Sequence, residues 1–328
     1  MTDHVLEVKD LSVSFLVRKK WIEAVHEVSF SLFRGETLGI VGESGCGKSV
    51  TSLSVLHLLP AGTSRIDQGS IMFHGTDIAG YDHKRMSSIR GRQIAMIFQD
   101  SMTSLNPVMA IGAQLEEAYR IHRKGTAEEA RKHTLDILEK VGMPSAEKRM
   151  KEFPHQLSGG MRQRVIIAMA LILKPEILIA DEPTTALDVT IQSQILALIR
   201  LLKQETGISV MLITHDMGVV AQMCDRVMVM YAGSSMEIGP TMDLFQIPLH
   251  PYTQGLLASI PRVDKDVDRL FSIEGNVPSL LHMPTGCRFW TRCKASSARC
   301  RHQNPPLFAI ENRQVRCWMY ERKQGGRA

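Results

Sequence analysis

No apolar run in this 328-residue chain is long enough to cross a bilayer. The longest, Val165 to Leu173, ends at Lys174-Pro175, well short of the ~20 residues a spanning helix needs. The N-terminus, Met1-Thr-Asp-His, has no basic stretch followed by an apolar one, so no secretion signal is expected. No internal repeat or low-complexity tract is evident. Charge of one sign is also scarce: 39 Lys and Arg against 34 Asp and Glu leave a net +5, weak evidence for an acidic partner. It is unevenly placed, because ten Lys/Arg face two Asp/Glu after Cys287; this tail reads equally as a solvated basic face or as contact with an anionic partner. Without an export signal, the six cysteines are expected to be reduced or metal-bound, not disulfide-paired. They include no C-x2-C pair, the usual mark of a zinc ribbon.

What remains is ordinary globular composition, 44% hydrophobic and 22% charged, in a chain long enough to bury a full core. Val5-Leu-Glu-Val, Leu11-Ser-Val-Ser-Phe and Val28-Ser-Phe-Ser-Leu alternate apolar and polar residues and predict short strands. Glu36 to Val41 is a more continuous apolar strand, and helical spacing follows from Ser49 to Leu59, stopped by Pro60. Ile94 to Phe98 predicts another buried strand, and Pro107 to about Gly142 a helical stretch. Strands Ile177–Ala180 and Val210–Ile213 then alternate with a helix over Ile191–Glu205, the rhythm of a parallel α/β sheet. The composition shifts to proline between Pro248 and Pro261 and then to cysteine and arginine, which places a domain boundary near there.

Gly42-Glu-Ser-Gly-Cys-Gly47-Lys48-Ser49 fits G-x-x-x-x-G-K-[ST] between a strand and a helix. Such a loop, here including Gly42, Ser44, Gly45, Cys46 and Gly47, cradles phosphates with backbone N–H groups, while Lys48 reaches the β- and γ-phosphates and the Ser49 hydroxyl binds Mg²⁺. Cys46, close to Lys48 and a helix start, is a candidate stabilised thiolate, although an inert small residue is the plainer reading. Asp181 and Glu182 end a buried strand, where ligands bind in α/β folds; the first suits Mg²⁺ and the second could polarise an attacking water. His215, after the strand Val210–Thr214, is expected to sense a γ-phosphate or hold that water. Gln99, after Ile94–Phe98, is expected to ligate Mg²⁺ and a water. Phe15 is a candidate adenine stacker, though a strand Phe is by default core. A second phosphate surface is expected at Ser158-Gly159-Gly160, a glycine turn opening a helix.

Taken in order, these residues resemble the ATP-binding subunits of ABC transporters. Gly42–Ser49 is similar to Walker A, Gln99 to the Q-loop, Leu157–Met161 to the signature, Ile177–Glu182 to Walker B, Ala186-Leu187-Asp188 to the D-loop and His215 to the switch histidine. Met161 departs from the Gln most of the family carries. The resemblance covers about residues 5–240 and implies an α/β fold: a P-loop ABC-type nucleotide-binding domain with a RecA-like core sheet, an antiparallel β subdomain and a helical signature subdomain (about 105–170), followed by a small cysteine-containing C-terminal appendage. The domains implied are 1–248 and 249–328.

Phe98 to Pro107, His250-Pro-Tyr-Thr253, Gly286-Cys287 and Val315-Arg316-Cys317-Trp318 narrow the resemblance to the oligopeptide/dipeptide importer branch, with nickel importers as close relatives. In that family two domains face head to tail, so Ser158, Gly159 and Gly160 would serve the partner's ATP. The implied partners are a second, different ATPase subunit, two membrane permeases and, indirectly, a solute-binding protein; no nucleic acid is expected. The implied location is peripheral, on the cytoplasmic face of the inner membrane. A soluble ABC ATPase acting on nucleic acid or ribosomes is the rival from another class. Cys287, Cys293, Cys300 and Cys317, separated by five, six and sixteen residues, suit four thiolates on irregular loops around a [4Fe–4S] cluster, its charge offset by neighbouring arginines; the branch's similar tail points the same way. Zinc or metal-free thiols remain the alternatives, and Cys224 reads as packing.

Overall fold

A computed structural model describes residues 3–99, 104–123, 125–185, 187–260 and 272–325. Asp100 to Thr103 of the Q-loop stretch, Ala186 of the D-loop and Pro261 at the expected boundary lie outside them. The chain divides into two compact units, Met1–Gly80 with Ile213–Ala328, and Tyr81–Leu212. No helix among the described residues is long and apolar enough to cross a membrane.

The first unit holds an antiparallel sheet built on a long hairpin, His4–Val17 with Lys20–Phe33, flanked by Ser64–Phe73 and the short Thr76–Asp77. The alternating segments expected as separate strands are continuous. Where alternation lapses, Asp10 and Glu27 adopt positive φ (48° and 45°) and the register slips between Val8 and Leu11; these bulges restore the inward face. In the same unit Thr37–Val41, buried throughout, pairs in parallel with Arg226–Tyr231. Ser234–Pro240 continues that sheet antiparallel. The C-terminal strands Arg313–Val315 and Phe308–Ile310 extend it further, Val315 opposite Glu237. The appendage is therefore built onto the sheet, its core formed by Leu249, Phe308 and Val315 with Cys317, Trp318 and Tyr320 packed against them. Cys224 is buried, its Sγ 2.8 Å from where a Gly39 Cβ would stand, a packing role as expected.

The second unit carries the strands Ile94–Ile97, Ile177–Asp181 and Ser209–Ile213, the first two parallel. The helical stretch after Pro107 is two helices, Ile111–His122 and Ala127–Lys140. Thr126 and Glu129 form a capping box that restarts the helix after Gly125, satisfying its first N–H groups. Gly159–Leu171 and Val189–Thr206 complete the unit's long helices, capped by Ser158 and Asp188. Residues Ser49 to Leu59 do not stay helical throughout: the helix is Lys48–Val55, and His57 takes φ 51°.

Candidate functional site

The phosphate loop lies between the strand Thr37–Val41 and the helix Lys48–Val55, as the motif requires. A side chain at Gly42 (φ 152°) would strike the Met230 carbonyl and the Cys46 thiol, and Gly47 (φ 100°) caps the helix in left-handed geometry; only glycine takes both places without strain. Lys48, 6% exposed, donates from Nζ to the carbonyls of Gly42 (2.8 Å) and Glu43 (3.2 Å). The ammonium is thus held inside the curl of the loop. Ser44 and Gly45 are exposed at its crest and Ser49 is half-buried on the first helical turn.

At Cys46 the plainer reading, an inert small residue, prevails over the stabilised thiolate. Its side chain is fully buried, and burial pushes the thiol up despite the charge of Lys48. Desolvation of the charged form outweighs a single cation whose Nζ is 4.0 Å away. Its carbonyl accepts from the Gly233 N–H at 2.9 Å, so Cys46 is a packing residue of the loop.

His215 is exposed at the end of the strand Ser209–Ile213. The N–H of Thr214 donates to the Ile40 carbonyl at 3.2 Å, which sets the histidine beside the strand that feeds the phosphate loop. Asp216 then caps the helix Met217–Met223. Phe15 is half-buried on the hairpin, opposite Ile22 and Ser64; it is not a core residue, which leaves part of its ring accessible.

In the second unit the structure joins three expected residues and adds two more. Asp181, 3% exposed, ends the strand Ile177–Asp181. Glu182 follows with φ 47°, a left-handed conformation that a non-glycine residue holds only when its surroundings fix it. Gln99 Nε2 donates to Glu182 Oε2 at 3.0 Å and Thr185 Oγ1 donates to the same oxygen at 3.0 Å. The carboxylate is therefore aimed by two donors on one oxygen. Gln163, 1% exposed, reaches from the signature helix to donate to the Pro183 carbonyl at 2.6 Å. Gln163 lies two residues beyond the signature stretch Leu157–Met161, and the sequence gave it no task.

Ser158 caps the helix Gly159–Leu171, accepting from the Met161 N–H, and is exposed with Gly159 and Gly160 half-buried behind it. A methyl at Gly160 would sit 2.8 Å from Ile191 Cγ2. That glycine consequently has a packing reason of its own, separate from any phosphate.

The C-terminal cysteines are reduced, and all four line one cavity of about 190 Å³ with Trp290, Trp318 and Phe289. Burial pushes the Cys287 thiol up to about 11 and raises those of Cys293 and Cys317. Among the described residues, no three His, Cys, Asp or Glu side chains close round a single metal ion. The neighbouring arginines do not chiefly serve the thiols. Arg288 bonds the Ala232 carbonyl and Glu23, Arg292 bonds Glu43, and Arg316 donates to the carbonyls of Ser235, Pro305 and Glu27. These three charges of the basic tail are thus committed to partners inside the unit, so the tail as a whole is not an outward basic face.

His250 and Tyr252, of the expected His-Pro-Tyr-Thr motif, are also structural. His250 caps the helix Pro251–Ala258, accepting from the Tyr252 N–H at 3.0 Å, and Pro251 takes the first helical position. Tyr252 Oη accepts from the Glu43 N–H at 3.1 Å.

Comparison with known proteins agrees with this geometry. Residues 25–185 match the ABC transporter family, and residues 236–300 match the C-terminal region of oligopeptide/dipeptide transporters. The chain is 50% identical to the dipeptide transport ATP-binding protein DppD of Bacillus subtilis, over 98% of this chain and 96% of that one. It is 49% identical to the oligopeptide transport ATP-binding protein OppD of Salmonella typhimurium, over 95% and 92%. Among solved structures it is similar to a bacterial ABC transporter cassette seen as a dimer (28% identity, TM-score 0.64, 72% of this chain and 98% of the other). It is also similar to cbiO1 of Clostridium perfringens, part of the ABC transporter complex cbiONQ (28% identity, TM-score 0.65, 74% and 91%).

Proposed function

The chain belongs to the ATP-binding subunits of ABC transporters, in their oligopeptide and dipeptide branch, and from that premise we propose how its residues divide the work. It is an ATPase that powers uptake of di- and oligopeptides through membrane permease partners, peripheral on the cytoplasmic side. The observation that carries this is the match to peptide-transport ATPases along nearly the whole chain, appendage included. The phosphate loop would supply amides and the Lys48 ammonium to the β- and γ-phosphates, and Ser49 and Asp181 would hold Mg²⁺. Gln99 would be a further Mg²⁺ ligand and, through its bond to Oε2, orients Glu182, which would position or activate the attacking water. His215 fixes the γ-phosphate geometry, and the exposed edge of Phe15 stacks on adenine.

Ser158, Gly159 and Gly160 serve the ATP bound by a second subunit. The dimeric state of the related cassette supports a pair, and one set of motifs per chain requires one. The second subunit is a different ATPase of the same branch, the permeases number two, and a solute-binding protein delivers the peptide. The ATP-binding domain spans 1–248 and the appendage 249–328. Cys287, Cys293, Cys300 and Cys317 would hold a [4Fe–4S] cluster: the four thiols line one common cavity, which supports a group larger than one ion. When bound, that group would supply a covalent staple between the short helix Ala298–His302, which carries Cys300, and the segments that carry the other three thiols. Iron and sulfide assays with visible absorbance on anaerobically purified protein test this; stoichiometric zinc contradicts it.

For the transport assignment, affinity purification of the tagged chain from its own membranes is expected to recover two permeases and a sibling ATPase. Recovery of RNA or ribosomal proteins without permeases contradicts it and favours the nucleic-acid rival. Purified complexes that take up a nickel chelate but no labelled peptide would reassign the cargo.

A further inference from the structure

Glu43 is the second residue of the phosphate loop, and its carboxylate points away from the loop's glycines into the C-terminal appendage. Arg292 Nη1 donates to both Glu43 oxygens, at 2.9 and 3.1 Å. The guanidinium is 5% exposed and the Glu43 side chain 30%. The rest of Arg292 is equally committed: Nε donates to the Glu274 carbonyl at 3.0 Å, Nη2 to that of Ile273 at 3.0 Å, and Nη1 also approaches Tyr231 Oη at 3.4 Å. The main chain of Glu43 is tied from the same side, because its N–H donates to Tyr252 Oη, whose ring packs on Tyr231 and Phe289. The Glu43 carbonyl, finally, is one of the two that hold Lys48. One residue of the loop is thus gripped at its side chain, its amide and its carbonyl.

We propose that Arg292 is a positioning residue for nucleotide binding, acting through Glu43: the appendage neutralises the one carboxylate that the phosphate loop carries and fixes where it points. The electrostatic reason is direct. A loop that gathers three or four phosphate charges suffers from an unpaired carboxylate at its second position, and a desolvated guanidinium removes that repulsion and fixes where the side chain goes. The turn that presents Arg292 is itself tight, its N–H donating to the Phe289 carbonyl at 3.0 Å, so the clamp arrives preorganised. The inference rests on the loop binding nucleotide, and not on what the thiol cavity holds.

The test is a two-residue cycle on the full purified chain, read as affinity for a non-hydrolysable MgATP analogue, with thermal melting as the control for folding. Arg292→Met is expected to weaken binding about tenfold, within the usual range of coupling between sites. Glu43→Gln, which removes the charge but keeps an acceptor, is expected to change it less than about twofold. The double variant is expected to bind within about twofold of Glu43→Gln, since without the carboxylate there is nothing to neutralise. Should Arg292→Met not fold, Arg292→Lys is expected to give a smaller penalty that also vanishes in the Glu43→Gln background. Parental affinity in the arginine variant overturns the proposal. So does a penalty that persists undiminished in the Glu43→Gln background, which would make Arg292 a scaffold of the appendage alone. Failure of the parent to bind the analogue would instead overturn the nucleotide reading itself.

Discussion

Glu182 shows how much one residue owes to its neighbours. Its left-handed backbone costs on the order of 1–3 kcal/mol, and the bonds from Gln99 and Thr185 to one carboxylate oxygen hold the side chain where that cost was met. Glu182→Gln is expected to bind ATP as the parent does, to lose hydrolysis by about 10²-fold or more, and to accumulate as an ATP-bound dimer on size exclusion. Thr185→Val, which removes one of the two donors, is expected to reduce turnover by a smaller factor with ATP affinity unchanged. Near-normal turnover by Glu182→Gln would remove that residue from the role.

His250 offers a residue-scale test through pH. It is fully buried, and desolvation lowers its pKa from 6.5 to about 3; its Nδ1 accepts the Tyr252 N–H and its ring faces Phe289. A depressed folded-state pKa means the unfolded chain takes up the proton first. The contribution is present in full above pH 6.5 and is lost as pH falls towards 3. Between pH 7 and pH 5 the folded state is expected to lose about 2 kcal/mol from this residue. Melting at the two pH values, with His250→Asn as the control that keeps a capping acceptor, checks this. An equal drop in the variant would assign the acid sensitivity elsewhere.

At the scale of elements, Gly160 and the helix Gly159–Leu171 carry two demands that one substitution separates. Gly160→Ala is expected to cost about 1–3 kcal/mol by driving a methyl into Ile191. Ile191→Ala in that background, which removes the Cγ2 methyl, is expected to bring melting back to that of Ile191→Ala alone without restoring turnover of the assembled pair, if the glycine also lets phosphate approach. Restoration of both would leave Gly160 a packing glycine only.

The same scale shows what sequence reading reaches. The strands that end in Asp181 and run into Gly42 were legible because continuous apolar runs bounded by special residues are strong signals. The break between Ile111–His122 and Ala127–Lys140 was available in Thr126-x-x-Glu129, a capping box inside an otherwise helical pattern. The bulges at Asp10 and Glu27 were not, since φ at a bulge depends on the paired strand. Nor was the bond from Arg292 to Glu43, 249 positions apart in sequence: no periodicity says which of many carboxylates a given arginine meets. The stabilised-thiolate alternative at Cys46 drops out for a related reason, because a helix start and a lysine argue for a thiolate only while solvent reaches the sulfur.

At the scale of the molecule, the chain is one part of a transport machine. The phosphate loop, the strand-end carboxylates and the signature turn are all present; in the proposed arrangement the signature of one chain would serve its partner's nucleotide, and turnover would belong to a pair under permeases. Peptide-dependent ATP hydrolysis by the complex, purified with its membrane subunits and its solute-binding protein and reconstituted in liposomes, tests that account most directly. Di- or oligopeptide delivered by the binding protein is expected to raise ATP turnover several-fold, with uptake of labelled peptide in step and both lost with Glu182→Gln. ATP turnover indifferent to peptide, with no peptide accumulated, would contradict it.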